Sequence, residues 1–228
     1  KGGVYMELKG IDVSEHNGVI NWNDVQTYAN FVIIRAGYGR LASQADKYFE
    51  TNYANAKSRG LKVGAYWYSY AMDVNEAKLE AKACLEVLGS KAFDYPIYYD
   101  IEESRQLALG KSKVRAIIDA FCTELENHNY WVGVYASASN LKMLELGNRY
   151  AQWVAHWDVA KPDCTNYGLW QYKVGTCPGV NGQCDLDYAY IDYPSQMAGH
   201  NNNALSKLEF PIEIKIGDDI YIGTVTKK

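Results

Sequence analysis

The chain has 228 residues, 48% hydrophobic and 22% charged, with a net charge of -4 and a pI near 5.6. That balance excludes disorder as the default state and allows one large domain or two small ones. With no stripe of Lys or Arg, it also excludes nucleic acid and anionic membrane surfaces as partners. No apolar stretch approaches a membrane span, and the opening Lys1-Gly-Gly-Val-Tyr-Met lacks the apolar core of a secretory signal.

Taken in chain order, strand-like apolar runs alternate with segments of helical period, the pattern of an α/β protein with parallel strands. Strands are predicted over residues 9–13, 31–36 and 61–70, the helix before the third ending at Arg59-Gly60. A helix follows from about Asn75, with Ala77, Ala81, Cys84, Leu85 and Leu88 on one face. A fourth strand spans 96–101. The next helix carries Val114, Ile117, Ile118, Phe121, Cys122 and Leu125 on its buried stripe. A fifth strand over 131–136 and a short helix near 141–146 lead into closely spaced strands at 152–157, 168–173 and 183–188. Such a series fits a closed barrel; for its first half a doubly wound open sheet fits equally well.

Beyond Pro194 the composition changes. Gly199-His-Asn-Asn-Asn reads as a linker, and residues 211–223 alternate apolar and polar around a Gly-Asp-Asp turn, as a small hairpin would. The predicted division is therefore a barrel domain over 7–194 and a linker plus short extension over 195–228.

The chemistry is concentrated in Tyr95-Pro-Ile-Tyr-Tyr-Asp-Ile-Glu-Glu. Asp100 and Glu102 are two residues apart on a strand and so share a face. Their proximity is expected to raise one pKa while hydrogen bonds keep the other ionised, the division that acid catalysis on a glycosidic bond requires. Asp12 and Asp185 also fall near predicted strand ends, where parallel α/β folds place their sites. Around them, Tyr66, Tyr68, Tyr135, Trp157, Trp170 and Gln171 are candidates for lining a glycan groove, or for filling the barrel. The wealth of such rings, 20 Tyr and 6 Trp against 5 Phe, suits stacking combined with hydrogen bonding. Arg35 is a candidate partner of Asp100 or of a substrate carboxylate, and His16 a candidate substrate contact.

Five cysteines forbid complete internal pairing. Cys177 and Cys184 bracket a Gly- and Pro-rich loop that a disulfide would stiffen. Cys84 and Cys122 read as buried thiols, with a bridge between their helices as the second reading, and Cys164 is left over. Gly37-Tyr-Gly-Arg-Leu-Ala matches a loose dinucleotide fingerprint, a weak signal alone. The acidic cluster also leaves open a divalent cation.

Gly10-Ile-Asp-Val-Ser, Val63-Gly-Ala-Tyr, Tyr99-Asp-Ile-Glu, Gly133-Val-Tyr-Ala, Trp170-Gln-Tyr and Asp185-Leu-Asp-Tyr together resemble, in order, the glycoside hydrolase family 25 lysozymes, the Chalaropsis-type muramidases. The resemblance runs from about residue 9 to 193. It implies a modified TIM-type barrel, (β/α)5β3, that cleaves the β-1,4 bond between N-acetylmuramic acid and N-acetylglucosamine. It assigns the catalytic acid to Glu102 and its partner to Asp100, with Asp12 and Asp185 completing the catalytic set. One departure stands out: Cys184 and Asp187 replace Val and Asn of the family's late motif, which adds a negative charge and leaves the role of Asp187 open. The expected enzyme needs no metal or other cofactor and is a monomer acting on peptidoglycan glycan strands outside the cytoplasm, without membrane insertion. The rival readings are a non-catalytic glycan-binding module and a metal-dependent phosphoesterase.

Overall fold

The computed structural model describes residues 7–198, 209–216 and 219–226. Eight strands close into a barrel in sequence order: β1 (Leu8–Val13), β2 (Phe31–Tyr38), β3 (Lys62–Tyr68), β4 (Ile97–Asp100), β5 (Val132–Ser137), β6 (Ala151–Ala155), β7 (Leu169–Gly175) and β8 (Cys184–Ala189). Neighbours from β1 to β7 are parallel. Strand β8 runs antiparallel to both β7 and β1 and closes the ring. The open-sheet alternative is thereby removed.

Helices cross only between the first six strands. They are α1 (Trp22–Val25), α2 (Phe49–Ser58), α3 (Val74–Leu88), α4 (Ser104–Leu107), α5 (Lys111–Asn127) and α6 (Ala138–Leu144). Helix α3 begins where Asp73 accepts the Glu76 amide and ends at Gly89, whose φ of 57° suits a residue without Cβ. The predicted stripe on α5 is buried at every position, and α5 packs against α3. The short α6 starts earlier than its apolar pattern suggests because Ser137 caps it at the Asn140 amide. The one-turn α4, too short to carry a periodic signal, is absent from the sequence reading.

Strand alternation divides the core into two parts. Ile11, Val32, Val63, Ala65, Trp67, Tyr99 and Val134 point outward to the helices. Phe31, Ile33, Tyr98, Tyr135, Trp153 and Leu169 fill the barrel interior. Two glycines make room for those large rings: a Cβ at Gly10 would lie 2.2 Å from Phe31, and one at Gly133 would lie 2.4 Å from Tyr98. Tyr193 and Met197 are buried in the same interior cluster, so packing on the barrel reaches Met197.

The extension forms an antiparallel pair, β9 (Glu209–Ile216) with β10 (Asp219–Thr226). Its expected turn at Gly217 and Asp218, the proposed linker at 199–203 and the amino-terminal 1–6 lie outside the described residues. Among the described residues no helix is long and apolar enough to cross a membrane.

Candidate active site

Period-two alternation brings a polar set to the inner face of the barrel. Asp12 lies near the end of β1, Arg35 on β2, Tyr66 and Tyr68 on β3, and Asp100 ends β4, with Glu102 just beyond it. Tyr135, Gln171, Asp185 and Asp187 come from β5, β7 and β8. A cleft of about 400 Å³ is lined by Arg35, Tyr66, Tyr68, Asp100, Glu102 and Asp185, together with His16 and Cys184. The larger hollow, about 560 Å³, lies at the other end of the barrel against Trp131, Tyr150 and Tyr193, away from the convergent acids.

Depth separates the two acids of Asp100-Ile101-Glu102. Asp100 is buried, and its Oδ1 meets no hydrogen-bond donor. Burial, then the charge of Glu102, pushes its pKa well above the usual carboxylate range, while Arg35 opposes the rise. The expectation that hydrogen bonds keep Asp100 ionised therefore fails for the free protein. Glu102 is exposed at the cleft mouth as a residue, yet its carboxyl is partly desolvated by the walls; that burial and then Asp185 raise its pKa. Asp185 is half-buried and also raised by burial. Tyr68 beside them is held protonated by burial and by the charges of Glu102 and Asp100.

A hydrogen-bond relay supports Asp12. Gln171 donates Nε2–H to Asp12 Oδ2 at 2.8 Å, and its Oε1 accepts both Tyr135 OH and Trp157 Nε1–H at 2.9 Å. An indole N–H can only donate, so Trp157 fixes which way the Gln171 amide faces. Trp157 itself is 50% exposed just beyond β6, an available ring on the rim. Tyr66 packs edge-on against Trp153.

Other candidates are placed differently. Trp170 neighbours Gln171 on β7 and therefore points outward, where it packs with Tyr172 and Tyr188 and donates to the His156 carbonyl; it belongs to the outer core, not the groove. Arg35 makes its hydrogen bonds with Asp46 at 2.8 Å, Glu15 at 2.9 Å and His16 Nε2 at 3.2 Å, so it acts on Asp100 only through its field. Cys177 and Cys184 are buried with their thiols in hydrogen-bond contact, and they stand as free thiols where a bridge was expected. Cys84 and Cys122 are likewise buried and free. The Gly37-Tyr-Gly segment ends β2 and runs into a 3-10 turn, without the helix that a phosphate-binding loop needs. Among the described residues, no three His, Cys, Asp or Glu side chains are grouped as metal ligands.

The sequence reading gave no role to Asp187, the most enclosed acid of the group at 0% exposed. Its Oδ1 accepts from Trp153 Nε1 at 2.8 Å, while Oδ2 has no donor and the carboxyl lies against Asp12. The added charge at that motif position was the signal available in the sequence.

A closed barrel with acids gathered at the carboxyl ends of its strands has them where such folds place their active sites. The sequence profile of Glycosyl hydrolases family 25 matches residues 11–180, and the chain belongs to that family. It is 28% identical over 216 residues to Lysozyme M1 of Streptomyces globisporus, covering 86% of this chain and 72% of that protein. Among solved structures, the bacterial lysozyme from Streptomyces coelicolor superposes with a TM-score of 0.73 at 26% identity, covering 86% and 97% of the two chains. The modular autolysin LytC from Streptococcus pneumoniae, solved with a synthetic peptidoglycan ligand, superposes with a TM-score of 0.72 at 27% identity. That match covers 83% of this chain, which spans about half, 48%, of LytC.

Proposed function

We propose that the chain is an N-acetylmuramidase that hydrolyses the β-1,4 bond between N-acetylmuramic acid and N-acetylglucosamine in peptidoglycan, outside the cytoplasm. The observation that carries this reading is the pairing of a cleft-mouth acid of raised pKa, Glu102, with the buried and unpartnered Oδ1 of Asp100 in one open cleft. Lysozyme and autolysin relatives support the substrate class. The barrel, 7–194, is the catalytic unit in this reading, and 195–228 is an accessory extension.

Glu102 donates its proton to the leaving glycosidic oxygen. With Glu102 neutral, the second of the two effects that raise Asp100 disappears; burial remains, and the Arg35 field opposes it in favour of an ionised Asp100. Its free Oδ1 then accepts the N–H of the substrate's 2-acetamido group and turns the acetamido oxygen toward the anomeric carbon. That oxygen attacks as the C1–O bond breaks, and Asp100 offsets the positive charge that develops on the ring so formed. Glu102, now a carboxylate, takes a proton from the water that opens the ring and restores the acetamido group. Tyr66, Tyr68 and Trp157 present rings to the glycan.

The test is digestion of purified peptidoglycan by the wild type and Glu102→Gln. New muramic acid reducing ends from the wild type, reduced about 100-fold or more in the variant, are expected. Glucosamine reducing ends, released peptides, or full activity of Glu102→Gln overturn the reading.

A further inference from the structure

Two acids touch in the barrel interior where the closing strand meets the first. On β8 and β1, Asp185 lies opposite Asp12 and Asp187 lies opposite Gly10, so Asp12 and Asp187 are diagonal neighbours on the inner face. Their carboxyl groups are in hydrogen-bond contact. Two carboxylates cannot share a hydrogen bond unless one holds a proton, and two ionised acids in contact away from water repel strongly.

The surroundings decide which one holds it. Asp12 retains 6% exposure, and Gln171, turned by Trp157, can present only a donor to it. Asp187 has no exposure, one donor on Oδ1 from Trp153, and no group other than the Asp12 carboxyl against Oδ2. A buried oxygen with no donor is costly as an acceptor and satisfied as an O–H. The other groups facing Asp187 do not reverse this: Asp185 on its own strand disfavours its charge, and Tyr98 from β4 and Gln171 from β7 bring no cation.

We propose that Asp187 is a positioning residue held as a neutral carboxylic acid, donating its Oδ2–H to Asp12 and so fixing the orientation and the negative charge of Asp12 toward the cleft. Asp12 then receives two donors, Gln171 from β7 and Asp187 from β8; burial and then the charges of Asp187 and Asp185 raise its pKa, and a neutral Asp187 removes the second of these, so that Asp12 faces the glycan as a carboxylate. The relevance to catalysis rests on the muramidase reading; the protonation state does not.

Three measurements on the full chain test it. In Asp187→Asn the amide N–H takes the place of the carboxyl O–H, so this variant is expected to restore the kcat that Asp187→Ala loses, about tenfold or more, with KM little changed. Infrared difference spectra of wild type against Asp187→Asn at neutral pH are expected to show a protonated-carboxyl C=O band only in the wild type. Burial raises the folded-state pKa of Asp187 above its unfolded value of about 3.9. Its stabilising contribution is therefore full below the lower value and is lost as pH rises to the upper one. The melting temperature of Asp187→Asn, relative to wild type, is expected to climb across that window. Absence of the C=O band, a pH-independent melting difference, or an Asp187→Asn variant as impaired as Asp187→Ala overturns the proposal. The infrared and melting readouts need no substrate, so they decide it even if peptidoglycan is not cleaved.

Discussion

Gln171 on β7 donates to Asp12 on β1 across 2.8 Å, joining two side chains 159 residues apart in the chain. The bond exists because β8 runs antiparallel between β7 and β1 and brings the strands of the two chain ends side by side. It is the strongest support for a charge on Asp12, since a hydrogen bond to an ionised group contributes about 1.5–3 kcal/mol.

Gln171→Leu is accordingly expected to lower kcat/KM on peptidoglycan about 10- to 100-fold. Tyr135→Phe removes only a neutral donor from the far side of the same amide and should cost less, about two- to tenfold. Steady-state kinetics of the two variants check the order; a Tyr135→Phe defect exceeding that of Gln171→Leu contradicts the relay.

In the proposed mechanism Glu102 acts only while protonated, so kcat/KM is expected to fall as pH rises through its pKa. Burial is the first cause of that raised value and Asp185 the second. Removing the second charge in Asp185→Asn lowers the Glu102 pKa, and the alkaline limb of the pH profile is expected to move to lower pH. A limb that stays in place, or moves upward, rejects the coupling.

Asp100 titrates far above an ordinary carboxylate because it is buried without a donor on Oδ1. Its folded-state pKa exceeds its unfolded value, so its favourable contribution to stability is present at low pH and lost as pH rises. Asp100→Asn removes that loss. At neutral pH the variant is expected to be more stable by about 1–3 kcal/mol and less active by about 100- to 1000-fold, the stability gain vanishing below the unfolded pKa. Urea titrations at acid and neutral pH measure both parts.

The Cys177 and Cys184 thiols are already in contact. Mild oxidation is expected to join them, with an intact mass lower by two hydrogens and the bridge found by peptide mapping. Closing so short a loop should stabilise the fold by about 2.5 kcal/mol. Bridging of Cys177 or Cys184 to any other cysteine instead contradicts that contact.

Much of this architecture is legible in the sequence because its signals are local. The α5 stripe from Val114 to Leu125 repeats at helical spacing, so its burial follows from geometry that every helix shares. In the same way, strand alternation points Asp100 inward at the end of β4, and Glu102, two residues on and just past the strand, lines the same cleft. Trp170 shows the limit of such reasoning: its neighbour Gln171 faces the barrel interior, so Trp170 cannot, and nothing within β7 alone says which of the two points inward.

The sequence by itself determined that the chain alternates strands and helices, that its acids cluster near strand ends, and that Asp100 and Glu102 face one space, since each is a matter of short-range spacing. Only the tertiary structure decided how the acids differ. Ring closure sets Glu102 at the open mouth, sinks Asp100 beneath it without a donor, and presses Asp187 against Asp12. Those differences are differences of depth and of contact across strands distant in the chain, and desolvation and Coulomb repulsion depend on both, which no run of neighbouring residues encodes.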